Sequence, residues 1–338
     1  MKTKMMIAVL IFFLAGVFSA NAEQVKDGYG TAQLPDSSVY EGNFKNGLFN
    51  GKGILTNRIG EKYEGEFKDG LFNGQGVATD RVGAKYEGEF KDGVFNGRGV
   101  FVTAADDQYE GEFQDGQLTG KCKISYGMGS KYDGECKNFI PEGKGAFTYP
   151  DGSKYDGELK NGLANGIGKM IMPNGSQIEG IFQNGVLNGE CLIVDQDGSK
   201  YEGGCKDNKK HGFGVLIKAS GHKYEGDFQN NQLTGKCKIE YKKGSKYEGE
   251  CKDFRRHGKG IITYSDGTIQ EGEFKDSKVN GKLTMTYPGG AIFKGSCKND
   301  LEYCEGVVYD TTGNGTEVQI KNGEIIPAGK IGKNEAAD

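Results

Sequence analysis

The chain has 338 residues, among them 58 Gly, 6 Pro and no Trp, with 35% hydrophobic residues and a formal net charge of −4. So much Gly without a three-residue period excludes collagen, and so thin an apolar share argues against one large compact core. The mildly acidic balance is a poor match for nucleic acid or an anionic membrane.

In chain order, the first predicted element is a signal peptide at 1–22. Lys2 and Lys4 precede the apolar run from Met5 to Phe18, and Ala20-Asn21-Ala22 has the small-x-small form cut before Glu23. The run is shorter than the roughly 20 residues a membrane span needs. No Cys stands at the end of the run, which argues against a lipoprotein. Loss of two lysines would take the charge from −4 to −6. The expected location is therefore secreted or periplasmic, with a cut after Ala22.

Residues 23–39 read as half of a repeat whose full form starts at Tyr40. Twelve 23-residue repeats then run from Tyr40 to Gly315 with no insertion, since 12 × 23 = 276. They open at Tyr40, Tyr63, Tyr86, Tyr109, Tyr132, Tyr155, Ile178, Tyr201, Tyr224, Tyr247, Gln270 and Phe293. Residues 316–323 copy the opening half of a repeat, and 324–338 read as a polar, disordered tail. A fixed period of this length means a stacked array in which each repeat contacts its neighbours.

Within a repeat, Tyr63-Glu64-Gly65-Glu66-Phe67-Lys68 alternates apolar or small with charged residues, the pattern of a strand with one packed and one wet face. Asp69-Gly70 starts a turn, and Gly74, Gly76 and the apolar residue at position 16 line a second strand. Gly83 near position 21 marks the next turn. Position 3 is Gly in all twelve repeats and position 12 in eleven. Glycine in a strand often marks close approach of another group, so Tyr and Phe rings are expected to lie over these empty positions. The fold class is all-β: an elongated, single-layer, twisted antiparallel sheet of about 12 hairpins.

The run Tyr-Glu-Gly-Glu-Phe-Lys-Asp-Gly followed by Gly-x-Gly resembles the MORN repeat family, over positions 28 to 323. The resemblance implies the same fold, successive β-hairpins in one sheet, with the ring-on-glycine pattern at Tyr40, Gly42 and Phe44 and through the later repeats. Ile178, Gln270 and Phe293 depart from it at the first position. Some relatives carry a kinase or methyltransferase domain after the repeats, for which this chain shows no counterpart.

The eight cysteines fall in related places. Cys122, Cys191 and Cys237 replace Gly at position 14, and Cys136, Cys205 and Cys251 replace Phe at position 5 of the next repeat. A turn centred at position 21 would set these two positions opposite one another, within disulfide reach. The expected pairs are Cys122–Cys136, Cys191–Cys205, Cys237–Cys251 and, across a turn within one repeat, Cys297–Cys304. Their spacings are not those of a zinc site.

No catalytic constellation is found. His211 and His257 share position 11 and His222 lies in a turn, so none has a distinctive setting for a general base. Asp195-Gln196-Asp197-Gly198 lacks the ligand spacing of a calcium loop. Neither an enzyme activity nor a cofactor nor a metal is expected.

The remaining signal is surface. Leu48-Phe49, Leu71-Phe72 and Val94-Phe95 occupy the within-repeat turn of repeats one to three, whereas Lys209-Lys210 and Arg255-Arg256 occupy it later. The candidate interaction residues are therefore Phe49, Phe72 and Phe95 with Leu48 and Leu71, and Lys209, Lys210, Arg255 and Arg256. The leading reading is a non-enzymatic scaffold that presents its ring-lined face and apolar edge to a protein partner or a second copy. Lipid binding through the four basic residues and carbohydrate or cell-wall binding through aromatic rings are alternatives. Resemblance supplies the lipid reading, since the family has been linked to acidic phospholipids.

Overall fold

The structure, a computed structural model, describes residues 26–321 and 324–327. The expected signal peptide at 1–22 and residues 328–338 lie outside the described residues. The chain divides into two compact units, Met1–Pro173 and Asn174–Asp338. Among the described residues both are all-β apart from one 3₁₀ turn, Asp300–Glu302.

In the first unit strands run from Gly28–Gln33 to Leu163–Ile171, each antiparallel to the next. In the second they run from Gln177–Gln183 to Glu324–Pro327 in the same meander. Glu324–Pro327, counted with the tail by its composition, adds a last strand against Gly315–Lys321.

Each repeat is one hairpin. Its first strand alternates exposed and buried residues without exception in Lys85–Lys91. Position 7 is Asn or Asp, and it adopts positive φ in every repeat, from Asn46 (51°) to Asn299 (50°). Position 8 follows it there, as Gly47 does at 72°. Two successive left-handed residues make the tight turn whose twist matches that of paired strands. The turn is therefore two residues long, and position 9 already belongs to the second strand, as Leu48 does in Leu48–Thr56.

The tyrosine at position 1 closes the core. Tyr40, Tyr63, Tyr86, Tyr109, Tyr155, Tyr201 and Tyr247 are among the largest fully buried side chains. A Cβ on Gly65 would lie 2.6 Å from the Tyr63 hydroxyl, and one on Gly76 would lie 2.5 Å from it. The ring thus covers positions 3 and 14, which face each other as Gly65 and Gly76. Position 12 was expected to lie under a ring and does not. Gly74 is needed there because its φ is +71°, at a bulge between Gly65 and Phe67.

Two groups hold that bulge from opposite faces. The Tyr63 hydroxyl donates to the Glu66 carbonyl at 2.8 Å, and equivalent bonds recur at Tyr40, Tyr132 and Tyr247. On the other face the position-4 carboxylate accepts the position-13 amide, as Glu89 does from Arg98 at 3.4 Å. Burial pushes the Tyr40 hydroxyl up to about 12.

Gly65→Ala and Gly76→Ala are each expected to lose about 1–3 kcal/mol by overpacking. Gly289→Ala, where nothing among the described residues lies within 4 Å, should change stability by less than about 0.5 kcal/mol. Urea unfolding of the three variants checks the ranking.

Candidate interaction surface

Positions 2, 4, 13 and 15 face away from the rings. In the second unit they form an open groove of about 1240 Å³. Glu225, Glu248 and Glu271 line it from position 2, and Lys236, Lys259 and Lys282 from position 13. Strand register sets Lys236 against Glu250 and Lys259 against Glu273. Lys238 and Glu248 approach to 3.7 Å. Exposed pairs of this kind contribute at most about 1 kcal/mol each, so the ladder fixes charge pattern more than stability.

One residue breaks the pattern. Phe213 occupies position 13, where the next three repeats place Lys, and 62% of it is exposed. It lies at the groove wall with Ile261, which is also exposed. Period-two alternation places this row on the wet face, and an aromatic residue within it is the sequence signal for Phe213.

The expected edge row of Phe49, Phe72 and Phe95 is not at the surface. Phe49, Phe72 and Phe95 are 0%, 3% and 8% exposed. They stack on Tyr40, Tyr63 and Tyr86 at centroid distances of 3.7, 3.8 and 3.7 Å. Position 10 was assigned to a turn, yet the bulge brings it opposite position 5, as in Phe44 with Phe49. These rings are core. Leu48 and Leu71, one residue earlier, are half-buried.

Two of the four basic residues belong to the same layer. Lys210 takes the place of the position-10 ring, with its ammonium 5.3 Å from the centroid of Tyr201. Arg256 does so over Phe274 at 5.4 Å. Lys209 and Arg255 point outward, with Arg255 at 4.0 Å from Asp276.

The structure brings the eight cysteines together in four pairs: Cys122 with Cys136, Cys191 with Cys205, Cys237 with Cys251, and Cys297 with Cys304. Their Cα–Cα distances are 5.9, 5.9, 5.9 and 4.1 Å. The register behind the first three differs from expectation, because Cys122 faces Gly134 and Cys136 faces Gly120. The loop explains the shift. Tyr126 N–H bonds Ser130 C=O at 2.9 Å and Gly129 N–H bonds Tyr126 C=O at 2.8 Å. Gly129, at φ 94°, is the third loop residue, so the loop is centred one residue before it. The cysteines meet as diagonal neighbours on one face. Repeat twelve has Cys304 in place of the position-12 Gly and no bulge, so Cys297 and Cys304 are directly opposed.

The cysteine at position 14 also takes the seat of the tyrosine ring. Tyr109, whose position-14 partner is Cys122, leaves its hydroxyl buried without a hydrogen bond among the described residues. A ring from the next repeat fills in. Phe139, at position 8 with φ 66°, packs edge-on to Tyr109 at 5.6 Å and Phe113 at 5.9 Å.

A family model described as MORN repeat matches residues 40–61, 63–85, 86–107, 109–131, 132–154, 155–177, 179–200, 201–223, 224–246 and 247–269. No curated protein matches the chain. Among solved structures, the TCP domain of Drosophila melanogaster SAS-4 (dCPAP), in complex with a proline-rich motif of Ana2 (dSTIL), is similar at 13% identity. That match covers 52% of this chain and 88% of that domain, with a TM-score of 0.31. A variant of the TCP10 domain of Danio rerio CPAP matches at 15% identity, over 72% of this chain and 99% of that one, with a TM-score of 0.23. Likenesses at these scores carry no functional argument.

Proposed function

The chain belongs to the MORN repeat family, and from that premise we propose that it is a non-enzymatic, exported scaffold that binds a protein partner along the groove of its second unit. The observation that carries this reading is Phe213, a large ring left 62% exposed beside an open groove. Partly exposed aromatic side chains are favoured anchors in protein interfaces, and burying one removes on the order of 150–250 Å² from water. The alternating Glu and Lys rows would orient a partner and discriminate among partners more than add affinity.

Export is supported by the signal-like N-terminus and by the paired cysteines, which suit an oxidising compartment. Lipid binding through Lys209, Lys210, Arg255 and Arg256 has less support, because Lys210 lies over the Tyr201 ring and 3.9 Å from Asp195, and Arg255 lies 4.0 Å from Asp276, so the four do not make one free cationic patch. Carbohydrate binding through the ring row has less as well, because that row is buried.

Capture of partners from the native extract should persist as salt is raised to molar concentration, since contact through a ring is little screened. Phe213→Asp should lose the captured protein while melting with the parent. A variant that keeps every partner, or capture that disappears above about 0.2 M salt, would remove the basis of the reading.

A further inference from the structure

Residues 109–154 recur five repeats later as 224–269 (224 − 109 = 115), and Gln117 to Ile124 is identical to Gln232 to Ile239. Both copies carry two tyrosines at position 18, Tyr126 with Tyr149 and Tyr241 with Tyr264. In the first copy a third ring lies beside both. Phe147 is nearly parallel to Tyr126 at 6.5 Å and to Tyr149 at 5.7 Å, each at 12°. In the second copy Ile262 replaces Phe147, and a cavity of about 440 Å³ opens beside Tyr241 and Tyr264.

The charge around that place changes as well. Asp107, two residues before the first copy, and Gly127, Met128 and Pro141 within it become His222, Lys242, Lys243 and Arg256 at the same offset of 115 (222 − 107 = 115). The backbone is conserved through the exchange. Asp107 Oδ1 accepts the Gly127 N–H at 2.8 Å, and His222 Nδ1 accepts the Lys242 N–H at 3.3 Å. All four replacements line the cavity, and no carboxylate among the described residues does, in a chain with 47 acidic residues. Arg256 donates through Nη2 to the Ser277 carbonyl, while its Nε is buried without a partner among the described residues. Its charge reaches both tyrosine hydroxyls, partly offsetting the upward push of burial on Tyr241 and Tyr264.

We propose that this cavity binds a flat ring bearing an anionic substituent, the ring beside Tyr241 and Tyr264 and the anion toward Lys242, Lys243 and Arg256. The first copy carries its own occupant for the ring position, in Phe147, and lacks the cations. The site is separate from the groove and does not depend on the scaffold reading.

Phenyl phosphate titrated calorimetrically into the full chain is the test, with inorganic phosphate and benzyl alcohol as half-ligands. Saturable binding is expected, with each half-ligand weaker by at least about tenfold. Ile262→Phe, which restores the ring of the first copy, should abolish binding. Lys242→Gly with Lys243→Met should weaken it by about tenfold or more. All these residues occur at the matching places of the first copy, so both variants should melt with the parent; Lys243→Met alone changes only an exposed turn residue and should still weaken binding. No saturable heat with the parent chain, unchanged binding in Ile262→Phe, or equal affinity for inorganic phosphate would each overturn the proposal.

Discussion

Changing Phe49, Phe72 and Phe95 together to Ser will abolish the cooperative near-ultraviolet melting of the first unit. Each ring is buried and stacked on a tyrosine, and each also meets the position-5 phenylalanines edge-on, as Phe49 does Phe44 and Phe67 at 5.7 Å. Truncating a buried Phe costs about 3–5 kcal/mol, and a serine hydroxyl left in the vacated space adds to that. Three such losses compare with the whole stability of an ordinary domain, about 5–15 kcal/mol. The main-chain carbonyls of these residues, which serine retains, accept the amides of Gly70, Gly93 and Gly116 in the next turn, each at 2.9 Å, so a strand that shifts to fill the vacated space disturbs that turn as well. Circular dichroism of the triple variant measures the effect. A variant that melts with its parent would return these rings to the surface.

Peptide mapping of the native protein without reduction is expected to recover cross-links 122–136, 191–205, 237–251 and 297–304. Three of these close loops with a sequence separation of 14 and one with a separation of 7. In the chain-entropy account a loop of about 15 residues contributes about 3 kcal/mol. Full reduction should therefore lower the melting temperature strongly, and Cys122→Ala with Cys136→Ala should lower it by one bridge's share. Cys122→Gly with Cys136→Phe is expected to recover part of that loss. It rebuilds the repeat's own solution, with a position-5 ring and an empty position 14 that lets the Tyr109 ring lie as Tyr63 does over Gly65 and Gly76. Recovery of Cys136 with a partner other than Cys122 would refute the pairing, and eight alkylatable thiols would remove the main support for export.

The period, the alternation and the Asp69-Gly70 turn signal were enough to read a hairpin array. They are local properties, set by backbone sterics and by a side-chain period of two, and they recur twelve times in one phase. The cysteine partners were legible for a related reason: two substitutions that always occur together at one spacing report a contact even when the register between them is misjudged. The register was misjudged because Gly129 looks like the centre of its loop, whereas its left-handed φ places it at the third loop residue.

What the sequence could not decide was which side of the sheet a turn-proximal residue faces. A two-residue turn with a bulge at Gly74 pulls position 10 into the strand and turns Phe49, Phe72 and Phe95 inward. Without the bulge, as in repeat twelve, the same position stays in the turn. The cavity beside Tyr241 and Tyr264 was hidden for a similar reason. Its lining comes from positions 10, 16, 18 to 20 and 22 of three successive repeats, and only strand pairing brings those positions together. Local pattern therefore determined the hairpin and its count. Pairing between strands, which depends on where one extra residue is accommodated, decided what is core, what is groove and what is left open to a ligand.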